Sequence, residues 1–224
     1  MIIKRFVWEP RDTNMYVIED GSHILIIDPN DNEDVLKTCV GTHSVTALLT
    51  HEHYDHICGL NKLRKLGGQA SVEGINSLVV VANKNCSNLI QNVKTNMSAY
   101  AEVFSQLIGK QMSANWVPFT CAAADITFND YFEFQWAGHT VQLYYTPGHS
   151  VGSSCIMIDN NSLFVGDSIL ENGLMIKLPG SDKKLYREKT VPLLENLLAR
   201  ANHVYPGHGN VLTREESLSI IRNA

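Results

Sequence analysis

The chain is poor in the features that would place it in several broad classes. Its five cysteines (Cys39, Cys58, Cys86, Cys121, Cys155) are scattered and odd in number, with no CxxC pair, which argues against a disulfide framework and for free thiols in a reducing cytosol. No stretch approaches the ~18 consecutive apolar residues of a membrane span. "MIIKRFVWEP" has no apolar core of signal-peptide length. Positive charge is scarce: 18 Lys and Arg stand against 23 Asp and Glu, a net −5, whereas a nucleic-acid-binding face needs a basic surplus. The expectation is a cytoplasmic protein with a small-molecule substrate, no nucleic-acid partner and no membrane association; nothing in the sequence indicates an oligomeric state. Repeats, low-complexity tracts and interdomain linkers are missing too. With 224 residues, 44 % of them apolar, the chain reads as one domain, 1–224, with a sizeable core.

What is present is a mixed α and β pattern. Runs rich in β-branched and aromatic residues predict strands at 2–8, 13–19 and 23–28, with a turn at Asp20-Gly21. A helix follows over 31–40, then a compact apolar strand, "SVTALLT" (44–50). Ile57, Leu60, Leu63 and Leu66 recur at spacing three and predict a helix ending at Gly67-Gly68. Short strands are expected near 69–73 and 78–82, and one or two helices over 87–110. A second β-rich block covers 124–128, 131–136, 140–146, 154–159 and 162–166, with turns at Gly138 and Asn160-Asn161. Helices at 189–201 and 213–222 flank a last short strand at 203–205. The order suggests two packed sheets with helices outside, an α+β fold.

The chemistry concentrates in "HEHYDH" (51–56), immediately after the buried strand. A lone histidine is more often a hydrogen-bonded or exposed residue than a ligand. Four potential ligands (His51, His53, Asp55, His56) in six residues reverse that balance. Imidazole suits zinc and iron, and carboxylate adds a harder donor. Three later stretches each carry a candidate ligand beside glycine after a strand-like run: "TPGHS" with His149, "VGDS" with Asp167 and "YPGHG" with His208. Strand ends hold a ligand rigidly, and glycine lets the backbone turn close to it. Five histidines and two aspartates are too many for one tetrahedral ion and suit two ions with a shared carboxylate.

The ordered set "THEHYDH", "TPGHS", "VGDS" and "YPGHG" resembles the signature of the metallo-β-lactamase fold superfamily, and within it the glyoxalase II-type hydrolases. The likeness runs from "TNMYVIED" to "NVLTREES". It implies a four-layer αββα sandwich of two similar halves. It also implies one metal site of His51, His53 and His149, a second of Asp55, His56 and His208, and Asp167 bridging the two. The implied cofactor is a pair of divalent ions, zinc first, with iron or manganese as alternatives. Two such ions lower the pKa of a shared water from about 15.7 towards ~7 and supply hydroxide for attack on a carbonyl or phosphorus. Asp55 is the candidate catalytic residue, orienting that group and carrying a proton to the leaving group.

The reading is therefore a dinuclear metal hydrolase acting on a thioester or related ester. Its rivals are a lactonase or phosphodiesterase on the same site, a mononuclear iron persulfide dioxygenase, and a non-catalytic metal protein. The commonest zinc β-lactamases have cysteine where Asp167 stands, and flavin-linked di-iron relatives have glutamate where His53 stands. Departures from the pattern are Asn30 in "IIDPN", where glycine is usual but Asn tolerates the left-handed conformation, and "GDSIL" after the last apolar strand. Sixteen residues (209–224) follow His208, whereas full glyoxalase II enzymes continue into a helical domain that helps hold glutathione; the expectation is poor hydrolysis of glutathione thioesters. Asp28 has two readings, an acceptor for a ligating imidazole or a turn former. Tyr54 either faces a pocket or packs as an aromatic. The Met97, Tyr100 and Phe104 stripe reads as core packing before pocket wall, and the basic run 177–189, with five of the 18 basic residues, as a solvated loop before an anion site.

Overall fold

The structure is a computed structural model that describes residues 1–38, 44–68, 77–173 and 178–223. It divides into two compact units, Met1–Ala82 with Ser87–Thr127, and Asn83–Cys86 with Phe128–Ala224.

The first unit is built on a six-stranded sheet in the order β1-β2-β3-β4-β5-β6. β1 (Ile2–Trp8), β2 (Thr13–Asp20) and β3 (His23–Ile27) form an antiparallel meander. β1 is the edge, and none of its residues is fully buried. β3 then pairs in parallel with β4 (Ser44–Leu48), and β4 in parallel with β5 (Leu78–Asn83). A parallel pair requires a crossover. Here α1 (Glu33–Thr38) connects β3 to β4, and α2 (Tyr54–Ile57) with α3 (Leu60–Gly68) leads from β4 towards β5. β3 buries four residues in a row, as a strand covered on both faces must. Beyond β5, α4 (Lys84–Leu89) and α5 (Ala101–Leu107) precede β6 (Ile126–Phe128).

The second unit carries a five-stranded sheet, β11-β10-β9-β8-β7. β7 (Tyr131–Trp136), β8 (His139–Tyr145), β9 (Ser154–Ile158) and β10 (Ser162–Gly166) pair antiparallel in sequence. β11 (His203–Pro206) joins β10 in parallel after α6 (Lys183–Leu185), a π-helical turn Tyr186–Thr190 and α7 (Val191–Leu198). α8 (Arg214–Arg222) ends the described chain, opened by a capping box between Thr213 and Glu216. The core of this unit groups Met157, Leu163 and Val165 of the sheet with Leu194, Leu197 and Leu198 of α7 and Ile221 of α8. Two mixed sheets with helices give the expected α+β class. Among the described residues no helix is long and apolar enough to cross a membrane.

The strand and helix expectations hold to within a few residues, and of the one or two helices expected over 87–110 the structure has two, α4 and α5. Those residues do not make a continuous helix: between Leu89 and Ser98 the chain turns. The cause is local. Asn96 is fully buried, and its side chain donates to Phe119 O at 2.7 Å and accepts from Ser98 N at 2.9 Å, bonds that compete with a helical ladder. Met97 then adopts a left-handed conformation, φ 64°. The apolar stripe splits accordingly: Met97 is buried, Tyr100 is exposed. The strand expected near 69–73 lies outside the described residues.

Close approach explains one glycine. Gly59, at the α2–α3 junction, donates its N–H to Pro29 O at 2.9 Å, and a Cβ there would stand 2.2 Å from Asn30 O. Gly138, in the β7–β8 turn, has open space around it but φ +85°. Gly59→Ala should therefore cost about 3 kcal/mol, the upper end of overpacking penalties, and Gly138→Ala about 1 kcal/mol from the left-handed conformation alone. Urea unfolding of the two variants checks the order; equal losses would show that the backbone around Asn30 yields.

Candidate metal centre

In the first unit, the parallel strands β3 and β4 end side by side, Ile27 paired with Leu48. The residues beyond their carboxyl ends are therefore neighbours. Asp28 N donates to Leu48 O at 3.0 Å. Asp28 is buried with φ 55°, an uncommon conformation for a non-glycine residue. Its carboxylate is a hub. Oδ1 accepts Thr50 N at 2.7 Å, and Oδ2 accepts Thr50 Oγ1 at 2.5 Å and lies 2.9 Å from His56 Nδ1. Thr50 Oγ1 also lies 3.0 Å from His51 Nδ1.

These contacts place the protons. The Thr50 hydroxyl hydrogen goes to the carboxylate, so His51 Nδ1 must be the donor to Thr50 Oγ1. His56 Nδ1 donates directly to Asp28. In neutral imidazole one nitrogen donates and the other accepts, so both rings carry their lone pair on Nε2, the form that ligates a metal. Of the two readings of Asp28, the imidazole acceptor is the one realised.

The rings are packed together. His51 and His53 have centroids 4.6 Å apart at 79°, and His51 and His56 4.1 Å apart at 54°. All of His51, His53, Asp55 and His56 are at most 5 % exposed. Asp28, His51 and His56 offer ligand atoms within 4.8 Å of one another. Asp55 accepts a 2.8 Å hydrogen bond from Thr13 Oγ1, and its Oδ2 stands 3.8 Å from His56 Nε2. Burying carboxylates among imidazoles costs free energy unless something compensates the charge. A divalent cation does that, and this N and O donor set fits one.

The second unit presents its own set. His149 follows β8 across the turn Thr146-Pro147-Gly148, Asp167 follows β10, and His208 follows β11. Gly207 N donates to Gly166 O at 2.7 Å and ties the last two loops together. Asp167 Oδ2 lies 3.6 Å from His149 Nε2 and 3.4 Å from His208 Nε2. Ligands about 2.0–2.1 Å from a tetrahedral zinc stand roughly 3.3–3.4 Å apart, so both separations suit shared ions.

Several residues that shape these loops were not singled out from sequence. Thr13 and Thr50 are ordinary strand residues in a linear reading. Tyr186 lies within the basic run, yet it is fully buried, its hydroxyl donates to Ser168 O at 2.7 Å, and Gly148 has φ +133° with room for no Cβ against it. Ser181 Oγ donates to His149 O at 3.0 Å and Thr190 Oγ1 to Pro147 O at 2.5 Å. The run 181–190 thus braces the His149 and Asp167 loops from within the unit, while Lys183, Lys184 and Lys189 face solvent. A single aromatic among charges was its one signal. Tyr54 is a packed aromatic: it meets Trp116 edge-on at 5.5 Å, its N–H donates to Asn96 O at 2.8 Å, and burial, with the Asp55 charge, pushes its phenol far above the usual range. Burial likewise holds the Cys58 thiol well above its usual value and pushes Cys121 and Cys155 up to about 12, which disfavours the thiolate form of these three.

A family model described as the metallo-beta-lactamase superfamily matches residues 45–208, from the first residues of β4 to the last candidate ligand. The chain belongs to the metallo-β-lactamase superfamily. It is 26 % identical over 209 residues to the beta-lactamase-like protein 2 homolog of Drosophila melanogaster, covering 89 % of this chain and 59 % of that one. It is 24 % identical over 208 residues to the atrochrysone carboxyl ACP thioesterase of Aspergillus fumigatus, covering 89 % of this chain and 51 % of that one. The chain thus spans somewhat more than half the length of these relatives. Among solved structures it is similar to the BLEG-1 B3 metallo-beta-lactamase, with TM-score 0.71, 24 % identity and 97 % of each chain covered. The fold is the metallo-β-lactamase fold.

Asp28 is the residue on which the His51 and His56 imidazoles depend. Asp28→Asn keeps the volume but leaves one acceptor oxygen for donors that now share two. A roughly 10- to 100-fold loss of zinc affinity is expected, measured by chelator-competition titration; wild-type affinity would show that Asp28 is a turn residue only.

Proposed function

We propose that the chain is a dinuclear metal-dependent hydrolase of a thioester or related ester. In this reading His51, His53 and His149 hold one ion, Asp55, His56 and His208 the other, and Asp167 bridges them. The observation that carries it is the single oxygen Asp167 Oδ2 beside both His149 Nε2 and His208 Nε2, at 3.6 and 3.4 Å. One oxygen facing one imidazole from each expected set is what a bridging carboxylate requires. The His51 and His56 tautomers fixed through Asp28 support the same reading.

The bound ions, zinc first with iron or manganese as alternatives, supply water activated near neutral pH and a Lewis acid for the substrate oxygen. The chain's own residues do the rest. Asp28 and Thr50 keep the His51 and His56 lone pairs directed outward. Asp55, held at one oxygen by Thr13, orients the nucleophile and carries a proton to the leaving group. A thioester is supported by the glyoxalase II-like motif set and by the thioesterase named among the relatives. Among the described residues Cys58, Cys86, Cys121 and Cys155 form no disulfide, which fits a small-molecule enzyme of the reducing cytosol.

Two measurements test the reading. Protein purified without chelator should carry nearly two equivalents of metal, and Asp167→Ala should lose one of them and most of its turnover while staying folded. A single tightly held iron with oxygen consumption on a persulfide would replace the hydrolase by the dioxygenase. In a substrate panel, a coenzyme A or simple thioester should exceed S-lactoylglutathione, lactones and phosphodiesters in kcat/KM by at least about tenfold, ~1.4 kcal/mol of transition-state binding. Preference for a lactone or phosphodiester would keep the centre and change the substrate class.

A further inference from the structure

Asp55 is held by a residue outside every candidate ligand set. Thr13, the first residue of β2, is fully buried, and its hydroxyl donates to Asp55 Oδ2 at 2.8 Å. Thr13 is in turn held at its main chain. Its carbonyl accepts from Asn30 Nδ2 at 2.9 Å, and it pairs with Trp8 across the β1–β2 ladder. Asn30 is fully buried as well. The Pro29-Asn30 turn is itself wedged in place, with Gly59 N on Pro29 O and the Gly59 Cα hydrogens facing Asn30 O. The contacts form one path: turn after β3, start of β2, carboxylate on α2.

A hydroxyl bonded to one oxygen of a carboxylate selects a single orientation, and the value of the hydroxyl depends on where its own backbone sits. We propose that Thr13 is a positioning residue for Asp55, and that Asn30 holds Thr13 in place, so that a hydroxyl–amide relay sets the second metal site. The inference rests on the dinuclear reading above.

The test is competitive zinc titration against a chromophoric chelator, with urea unfolding of the metal-free protein run beside it. Thr13→Val removes the hydroxyl at constant shape, Thr13→Ser restores it, and Asn30→Gly cuts the amide. The second equivalent should bind about tenfold or more weakly in Thr13→Val, near wild type in Thr13→Ser, and several-fold weaker in Asn30→Gly, with the first equivalent unchanged in all three. Equal affinity of Thr13→Val and wild type would overturn the proposal, as would a Thr13→Ser protein as impaired as Thr13→Val, which would assign the effect to shape. Should Thr13→Val fail to fold, a wild-type titration curve for Asn30→Gly would overturn the relay. A wild-type chain that takes up fewer than two equivalents would contradict the dinuclear reading itself, and the relay with it.

Discussion

The carboxylate of Asp28 is the interaction on which the His51 and His56 rings depend. It sits where β3 ends, takes two hydrogen bonds from Thr50 at the end of β4, and one from His56 on α2. Three pieces of chain that are distant in sequence are thereby fixed to one group, and through Thr50 the His51 ring is fixed too. The cost is a left-handed backbone at a non-glycine residue, φ 55°, of the order of 1–2 kcal/mol. Three hydrogen bonds to a buried charge, each about 1.5–3 kcal/mol, outweigh it.

The sheet geometry makes this hub possible. Parallel strands in register end at the same level, so residues just past β3 and β4 meet without any long excursion of chain. The second unit reaches the same end differently. There the loops after β8 and β10 are braced by the run 181–190, with Tyr186 against Gly148 and Ser168, and Ser181 and Thr190 on the carbonyls of His149 and Pro147, while Gly207 N ties the loop after β11 to Gly166 O. In both units the donors lie just past strand ends, on short loops or, for Asp55 and His56, on α2. Such support is what keeps donor atoms within the narrow tolerance of a metal site.

Much of this was legible in the sequence because the signals were local and redundant. The strand runs and the helical spacing of Leu60, Leu63 and Leu66 gave the elements, and the ligand-bearing motifs each sat at a strand end, where the structure also has them. What was left open or missed is long-range. The 87–110 periodicity allowed one helix or two, and the chain turns between α4 and α5 because Asn96 finds partners at Phe119 and Ser98 that no spacing rule reveals. Thr13 and Thr50 matter through a single hydroxyl each, and only the folded chain shows what those hydroxyls meet. The basic run was read by its charges, whereas its structural content lies in Tyr186, Ser181 and Thr190, which point away from solvent.

The central claim is that two ions share the Asp167 carboxylate. X-ray absorption fine structure on zinc-loaded protein measures it most directly. The account predicts a metal–metal vector at roughly 3.5–4 Å together with imidazole scattering at about 2.0–2.1 Å, and loss of the metal–metal vector in Asp167→Ala. A fully loaded wild-type protein with imidazole scattering and no second metal within that range would contradict it.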